Sequence, residues 1–200
     1  MWKTLIFLFA LLLAPIAAIS QVSCEMPFEG PGKTIPGSPA PIFTLKEPFK
    51  HPTALPDHVL ALLRADKDNT EKFEACRSRQ GLAEIPPQWF LATDIKLVND
   101  ELPGLVVKAA NACLWGKQQD QEVGGFWVFR QAPTGYQLVF TEHTQALQVL
   151  NSRTAGYADL CTSWGSYQTY YRTIYTFSEG KYVPYTNSRL DVDFFPPPPR

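Results

Sequence analysis

Apolar and polar positions along the chain follow three patterns in succession. The first is one continuous apolar run. Leu5 to Ala17 carries no charge and one interruption, Pro15, and it follows the short basic start Met1-Trp2-Lys3. Small residues at Ala18 and Ser20 occupy the two positions a signal peptidase reads, so a secretory signal peptide over 1–20 is expected, cut after Ser20. The run is shorter than the roughly 18–20 residues that span a bilayer. No later stretch approaches it, so no transmembrane segment is expected once the signal is removed. The expected location is secreted or periplasmic. Cys24 offers an alternative, a lipid anchor, but Gln21 stands where such a signal carries an aliphatic residue.

The second pattern has helical period. In Asp57–Arg64 (DHVLALLR) the apolar positions are Val59, Leu60, Leu62 and Leu63, with Asp57 as expected N-cap. A second helix, TEKFEACRSR, starts from Asn69 or Thr70 and stops at Gly81. Phe73 and Cys76 share one face, and Arg77 and Arg79 oppose the dipole in the last turn. Neither helix has much apolar surface, so each must pack on something larger.

The third pattern supplies it. From Trp89 to Tyr185, short runs rich in Val, Ile, Tyr, Phe, Trp and Thr alternate with turn residues such as Gly124-Gly125, Pro133-Thr134-Gly135, Thr154-Ala155-Gly156 and Ser178-Glu179-Gly180. The runs predict strands at 89–97, 104–110, 126–130, 136–140, 146–151, 159–164, 170–177 and 182–185. Joints this tight imply antiparallel hairpins, because a parallel crossover needs a dozen residues or more. The expected fold is α+β: a twisted antiparallel sheet of about six to eight strands with two short N-terminal helices, bearing disulfides.

Proline separates these regions. Eight prolines fall in the 32 residues Glu25–Pro56, and proline removes the donor that helices and ladders need. The layout expected is a signal peptide over 1–20, a proline-rich arm over 21–56 lying on the domain, one domain over 57–190, and a polyproline tail over 191–200. The formal charge of −1 becomes −2 when Lys3, the only charged residue of the signal, is removed. With no basic cluster, nucleic acid is excluded as a partner class.

Four cysteines, Cys24, Cys76, Cys113 and Cys161, remain after cleavage. An even count in an exported chain predicts disulfides. Three pairings exist; the preferred one joins Cys76 to Cys113, stapling helix to strand region, and Cys24 to Cys161, tying arm to sheet. No C-x-x-C spacing suggests a redox or zinc site, and no cofactor is expected.

The β region echoes itself. PGLVV has Leu105 where GYADLC has Leu160, and FWVFRQAPTGYQLV (126–139) resembles YRTIYTFSEGKYV (171–183), with an insertion near 115–125 in the first copy. Two copies suit a two-part twisted sheet. FLATDIKLVNDELPGLVV resembles a worn loop and strand of FG-GAP and VCBS-type repeats, and GYADLC followed by a strand and GKY is similar to the second half of small exported bacterial proteins carrying such half-blades. The resemblance covers about Phe90–Val183. It implies a calcium loop at Asp94, Asn99, Asp100 and Glu101. Here Val98 stands in a ligand position, Glu101 replaces the turn glycine and Gly104 the last aspartate, so the loop reads as an acidic surface turn.

Chemistry is sparse. No G-x-S-x-G is present. Cys161, His143 and Asp159 are thiol-hydrolase residue types, but exported cysteines pair. Glu142-His143 offers an acid–base pair. Read as one continuous strand, WGSYQTYYRTIYTF puts Tyr167, Tyr171, Tyr175 and Phe177 on one face with Thr169 and Thr173. Trp164, Tyr170 and Ile174 fall on the other with Ser166, Gln168, Arg172 and Thr176. The first face suits core packing, or else a glycan or peptide platform. The long polar segment Lys117–Gly125 is a recognition-loop candidate. The expected function is that of a non-catalytic binding or accessory protein whose partner is an envelope or extracellular protein or a glycan, with Trp115, Lys117, Trp164, Tyr170 and Arg172 as contacts. A secreted hydrolase using Glu142, His143 or Asp159, and an inhibitor of an envelope hydrolase, are the alternatives.

Overall fold

The computed structural model describes residues 41–98, 103–166 and 169–191. The signal peptide, Cys24, Asn99, Asp100, Glu101, Tyr167, Gln168 and all of the tail beyond Asp191 lie outside the described residues. Ten strands and two helices follow in the order β1 (Ile42–Thr44), α1 (Asp57–Arg64), α2 (Thr70–Arg79), β2 (Phe90–Ile95), β3 (Gly104–Ala109), β4 (Gly116–Gln118), β5 (Gln121–Ala132), β6 (Gly135–Thr144), β7 (Ala146–Thr154), β8 (Tyr157–Gly165), β9 (Thr169–Ser178) and β10 (Lys181–Asp191).

Every strand pairing is antiparallel. The strands form two five-stranded sheets rather than one sheet of six to eight. The first runs β1-β7-β8-β9-β10; the second runs β2-β3-β5, with β4 beside one end of β5 and β6 on its far side. Two strands escaped the sequence pattern. β1 has three residues and lies within the proline-rich arm, and β4 belongs to the segment expected as a loop. The internal echo falls on equivalent places. PGLVV and GYADLC lie on β3 and β8, and the two aromatic hairpins are β5–β6 and β9–β10.

Side-chain alternation sets the layers. Val106 of β3 and Phe126 and Val128 of β5 point toward Leu160, Tyr175, Phe177 and Tyr182 of the first sheet and form the core between the sheets. Leu105, Val107 and Ala109 of β3 and Trp127 and Phe129 of β5 point the other way, onto Val59, Leu60 and Leu63 of α1 and Phe73 of α2. The second sheet is covered on both faces, which is why every residue of β3 is buried. Helix α1 starts one residue earlier than the expected cap implies: Pro56 is its N-cap and Asp57 its first helical residue. Asn69 occupies the N-cap position of α2 without a side-chain capping bond, and Gly81 takes the left-handed conformation, with φ +65°, just beyond its end.

The disulfide Cys76–Cys113 is formed, with Cα atoms 5.8 Å apart. It joins α2 to the turn before β4. Cys161 is not a free thiol; the Cys24 side of the expected Cys24–Cys161 pair lies outside the described residues.

Two buried polar hubs hold the layers in register. Asp66, in the α1–α2 turn, accepts from Trp127 Nε1 and from Asn69 Nδ2, each at 2.8 Å, and its other oxygen accepts from the Asp68 amide at 3.2 Å. The Trp127 ring lies flat over Gly125, where any Cβ would overlap it. Lys108, on β3, is 1% exposed. Its ammonium donates to the carbonyls of Thr44 at 2.6 Å, Leu45 at 3.3 Å and Glu47, and lies 4.8 Å from the centre of the Phe49 ring. These contacts fasten residues 44–49 to a strand about sixty positions away. Burial pushes the Lys108 ammonium down to about 8, against an opposing pull from Glu47.

Candidate functional site

The fourteen-residue aromatic stretch does not run as one strand. The ladder turns back after Gly165, whose φ of +152° and whose position 2.3 Å, by an added Cβ, from the Thr169 carbonyl oxygen leave room for glycine alone. The Gly165 amide donates to Gln145 Oε1 at 2.9 Å, which fixes the corner. The turn changes which residues share a face. Trp164 of β8 now stands directly opposite Tyr171 of β9, and Arg189 of β10 stands opposite Tyr171 on the other side.

The continuous-strand expectation is therefore corrected: Trp164 shares a face with Tyr171, not with Tyr170. Along β8 the core-facing row is Leu160, Thr162, Trp164; along β9 it is Tyr175, Thr173, Tyr171; along β10 it reaches Asn187, Arg189 and Asp191. Leu160, Thr162 and Tyr175 are buried, Thr173, Tyr171 and Trp164 are half-buried, and Asn187, Arg189 and Asp191 are exposed. The same face of the first sheet thus passes from core to exposed surface.

This overhang is an aromatic and polar shelf. The Trp164 and Tyr171 rings stack with centroids 4.2 Å apart and planes 13° from parallel. The Arg189 guanidinium lies 5.9 Å from the Tyr171 centroid. Among the described residues, no ring or cation covers the other face of Trp164. Arg189 Nε is 2.9 Å from Asp191 Oδ1, which also accepts from Thr169 Oγ1 at 3.2 Å. Tyr171 Oη donates to Gln119 Oε1 at 3.4 Å. At the inner end, the Tyr175 hydroxyl donates to Glu142 Oε2 at 2.7 Å. Burial and then the Glu142 carboxylate raise the Tyr175 hydroxyl well above the ordinary phenol range, so it stays protonated as the donor.

The residues predicted as contacts do not all gather here. Trp164 does. Tyr170 and Arg172 lie on the opposite face of β9, and Tyr170 is fully buried, its hydroxyl pushed up to about 12 by that burial against the opposing effects of Ser163 and Arg172. Trp115 is half-buried between the two cores; its Nε1 donates to the Ala109 carbonyl at 3.1 Å, which makes it a packing residue. Lys117 is exposed on β4. The segment 117–125 is not a loop. Gln118 pairs with Gln121, and Gln119 and Asp120 form a two-residue turn with φ of 47° and 64° that presents Gln119 to Tyr171.

The acid–base candidates are adjacent in sequence and separated by the sheet. Glu142 faces the first sheet through Tyr175, while His143 faces the helices, where burial and then Lys72 lower its pKa. Asp159 is buried on β8, opposite a bulge in β7 between Val149 and Arg153. Asp94 accepts from Thr53 Oγ1 at 3.2 Å, and no group of three metal-ligating side chains occurs among the described residues. A separate cavity of about 330 Å3 lies between α1, α2 and the segment after them, where Arg64 pairs with Glu84 at 3.1 Å and Arg77 with Glu74 at 2.6 Å. No predicted contact residue lines it. No helix among the described residues is long and apolar enough to cross a membrane.

Arg189 is the shelf residue that the sequence pattern missed; Tyr171 lies on the face that suits core packing or a glycan or peptide platform, but outside the five named contacts. The signal was present in Gly165 followed by polar residues, which marks a turn rather than a strand interior. No protein-family model, curated protein or solved structure matches the chain.

Proposed function

We propose that this protein is a non-catalytic exported binding protein and that the Trp164–Tyr171–Arg189 shelf takes a glycan. The observation that supports the reading is the partly exposed Trp164 ring, stacked on Tyr171, with no second aromatic or cationic partner among the described residues. A sugar ring offers a flat apolar face of C–H groups and a rim of hydroxyls. The ring of Trp164 suits the first, and Asn187, Arg189, Asp191 and Thr173 on the same face suit the second. A rigid, stacked aromatic loses little conformational freedom on binding. The hydrolase alternative gains no support from Glu142 and His143, which point to opposite faces of β6.

Titration calorimetry against panels of neutral and acidic oligosaccharides tests the reading. Trp164→Ala is expected to weaken binding about 10-fold or more, from the loss of about 1.5 kcal/mol or more of stacking. Lys117→Ala, a substitution away from the shelf, is expected to leave binding unchanged. Binding that survives Trp164→Ala, or the absence of binding across the panel, overturns the reading.

A further inference from the structure

We propose that the turn between β4 and β5 is the second wall of the glycan site, with Gln119 as a specificity-determining residue, and that the site takes neutral rather than acidic sugars. The proposal rests on the glycan reading of the shelf and adds its other side and its ligand class. Three polar links join the turn to the shelf. Tyr171 Oη donates to Gln119 Oε1 at 3.4 Å, across 52 positions of sequence. Gln145 Nε2 donates to Gln121 Oε1 at 3.5 Å. Gln145 Oε1 accepts from the amide of Gly165, the neighbour of Trp164, at 2.9 Å. The polar hairpin and the aromatic pair thus meet at Tyr171.

The backbone of the turn points the same way. Both central residues have positive φ, 47° at Gln119 and 64° at Asp120. Such a turn favours Asn-Gly, and glutamine is a poor occupant of that conformation. A strained residue kept beside a partly exposed ring pair argues for function rather than stability. Gln119 is exposed, and its Nε2 donates to nothing among the described residues, so two N–H donors stand beside Tyr171. The charges set the ligand class. Arg189 is already paired with Asp191. Lys46 pairs with Glu122, and Lys117 stands across from the same Glu122, away from the tip. Asp120, at the tip, has no ion-pair partner among the described residues. An acidic sugar would meet the Asp120 carboxylate with no cation free at the shelf to offset it. A neutral sugar would meet amides and hydroxyls that match its own hydroxyls.

Titration calorimetry with matched neutral and acidic oligosaccharides, run beside urea unfolding on wild type, Gln119→Gly and Asp120→Asn, tests the proposal. Wild type is expected to bind the neutral ligands about 3-fold or more tighter than the acidic ones at low salt. Gln119→Gly is expected to weaken neutral binding about 5-fold, as the loss of one hydrogen bond does. Its urea midpoint is expected to hold or rise, because glycine takes positive φ without a Cβ clash. Asp120→Asn is expected to narrow the gap between the two ligand classes. Absence of binding by wild type overturns this proposal together with the glycan reading. Binding that needs Trp164 but is unchanged in Gln119→Gly overturns this proposal alone. So do tighter binding of the acidic ligands and a gap that Asp120→Asn leaves as it was. A urea midpoint that falls along with binding in Gln119→Gly also overturns it, since Gln119 would then be structural.

Discussion

Raising the pH from about 7 to about 9 is expected to make this protein more stable, and Lys108 is the reason. Its ammonium is buried against Phe49, and desolvation brings its pKa from 10.5 to about 8 in the folded chain. The folded value lies below the unfolded one. Between about pH 8 and 10.5 the unfolded chain therefore holds the proton that the folded chain has released, and stability rises with pH across that window. One pH unit inside the window corresponds to about 1.4 kcal/mol. The step from pH 7 to pH 9 covers about one such unit, so the expected gain is about 1.4 kcal/mol. Tyr170, Tyr175 and Tyr182 act in the opposite sense, because burial raises their hydroxyls and the unfolded chain ionises first. Their effect begins near the ordinary phenol value of about 10, which keeps it small at pH 9. Burial also lowers Lys72, with the same sign as Lys108, so the contribution of Lys108 is isolated by difference. Urea unfolding at about pH 7, 8 and 9, on wild type and on Lys108→Met, reads it directly. Wild type should gain stability across the series, and the variant should show most of that gain removed. A flat or falling wild-type series, or an equal rise in Lys108→Met, would refute the reasoning.

Three further outcomes follow from the same contacts. Replacing Cys76 and Cys113 together by Ser opens a 37-residue separation and is expected to cost about 4 kcal/mol by chain entropy, read as a lower urea midpoint. Asp66→Ala leaves the Trp127 indole, the Asn69 amide and the Asp68 amide without their acceptor, and should cost roughly 3–5 kcal/mol, with Trp fluorescence shifting red as the α1–α2 turn loosens. His143 has a folded pKa held below 6.5 by burial and Lys72, so stability should fall as the pH drops through about 6.5, and His143→Gln should remove that fall; a folded-state NMR titration at or above 6.5 would contradict it.

Much of this architecture is local information. The eight strands expected between Trp89 and Tyr185 all form, because β-branched and aromatic runs between tight turns specify antiparallel hairpins wherever an apolar face can be buried. Both helices form within a residue of their expected limits, because a short apolar stripe ends at a glycine in one and at a charged turn in the other. The Cys76–Cys113 pairing is the one the order of elements favours, and helix-to-sheet packing brings the two within reach.

Other features have no local signal. β1 is three residues in a proline-rich arm, and it exists only because β7 offers an unpaired edge and Lys108 offers a cation to the carbonyls that follow. The separation into two sheets depends on which face of each strand meets the other, and that follows from burying both faces of β3 at once. The shelf depended on a single corner. With Gly165 read as part of a strand, Trp164 and Tyr171 fall on opposite faces; with the chain reversed there, they stack. Strand periodicity sets which residues alternate, but a turn of uncertain length changes the parity of everything beyond it, and only the ladder on both sides of the turn can decide that.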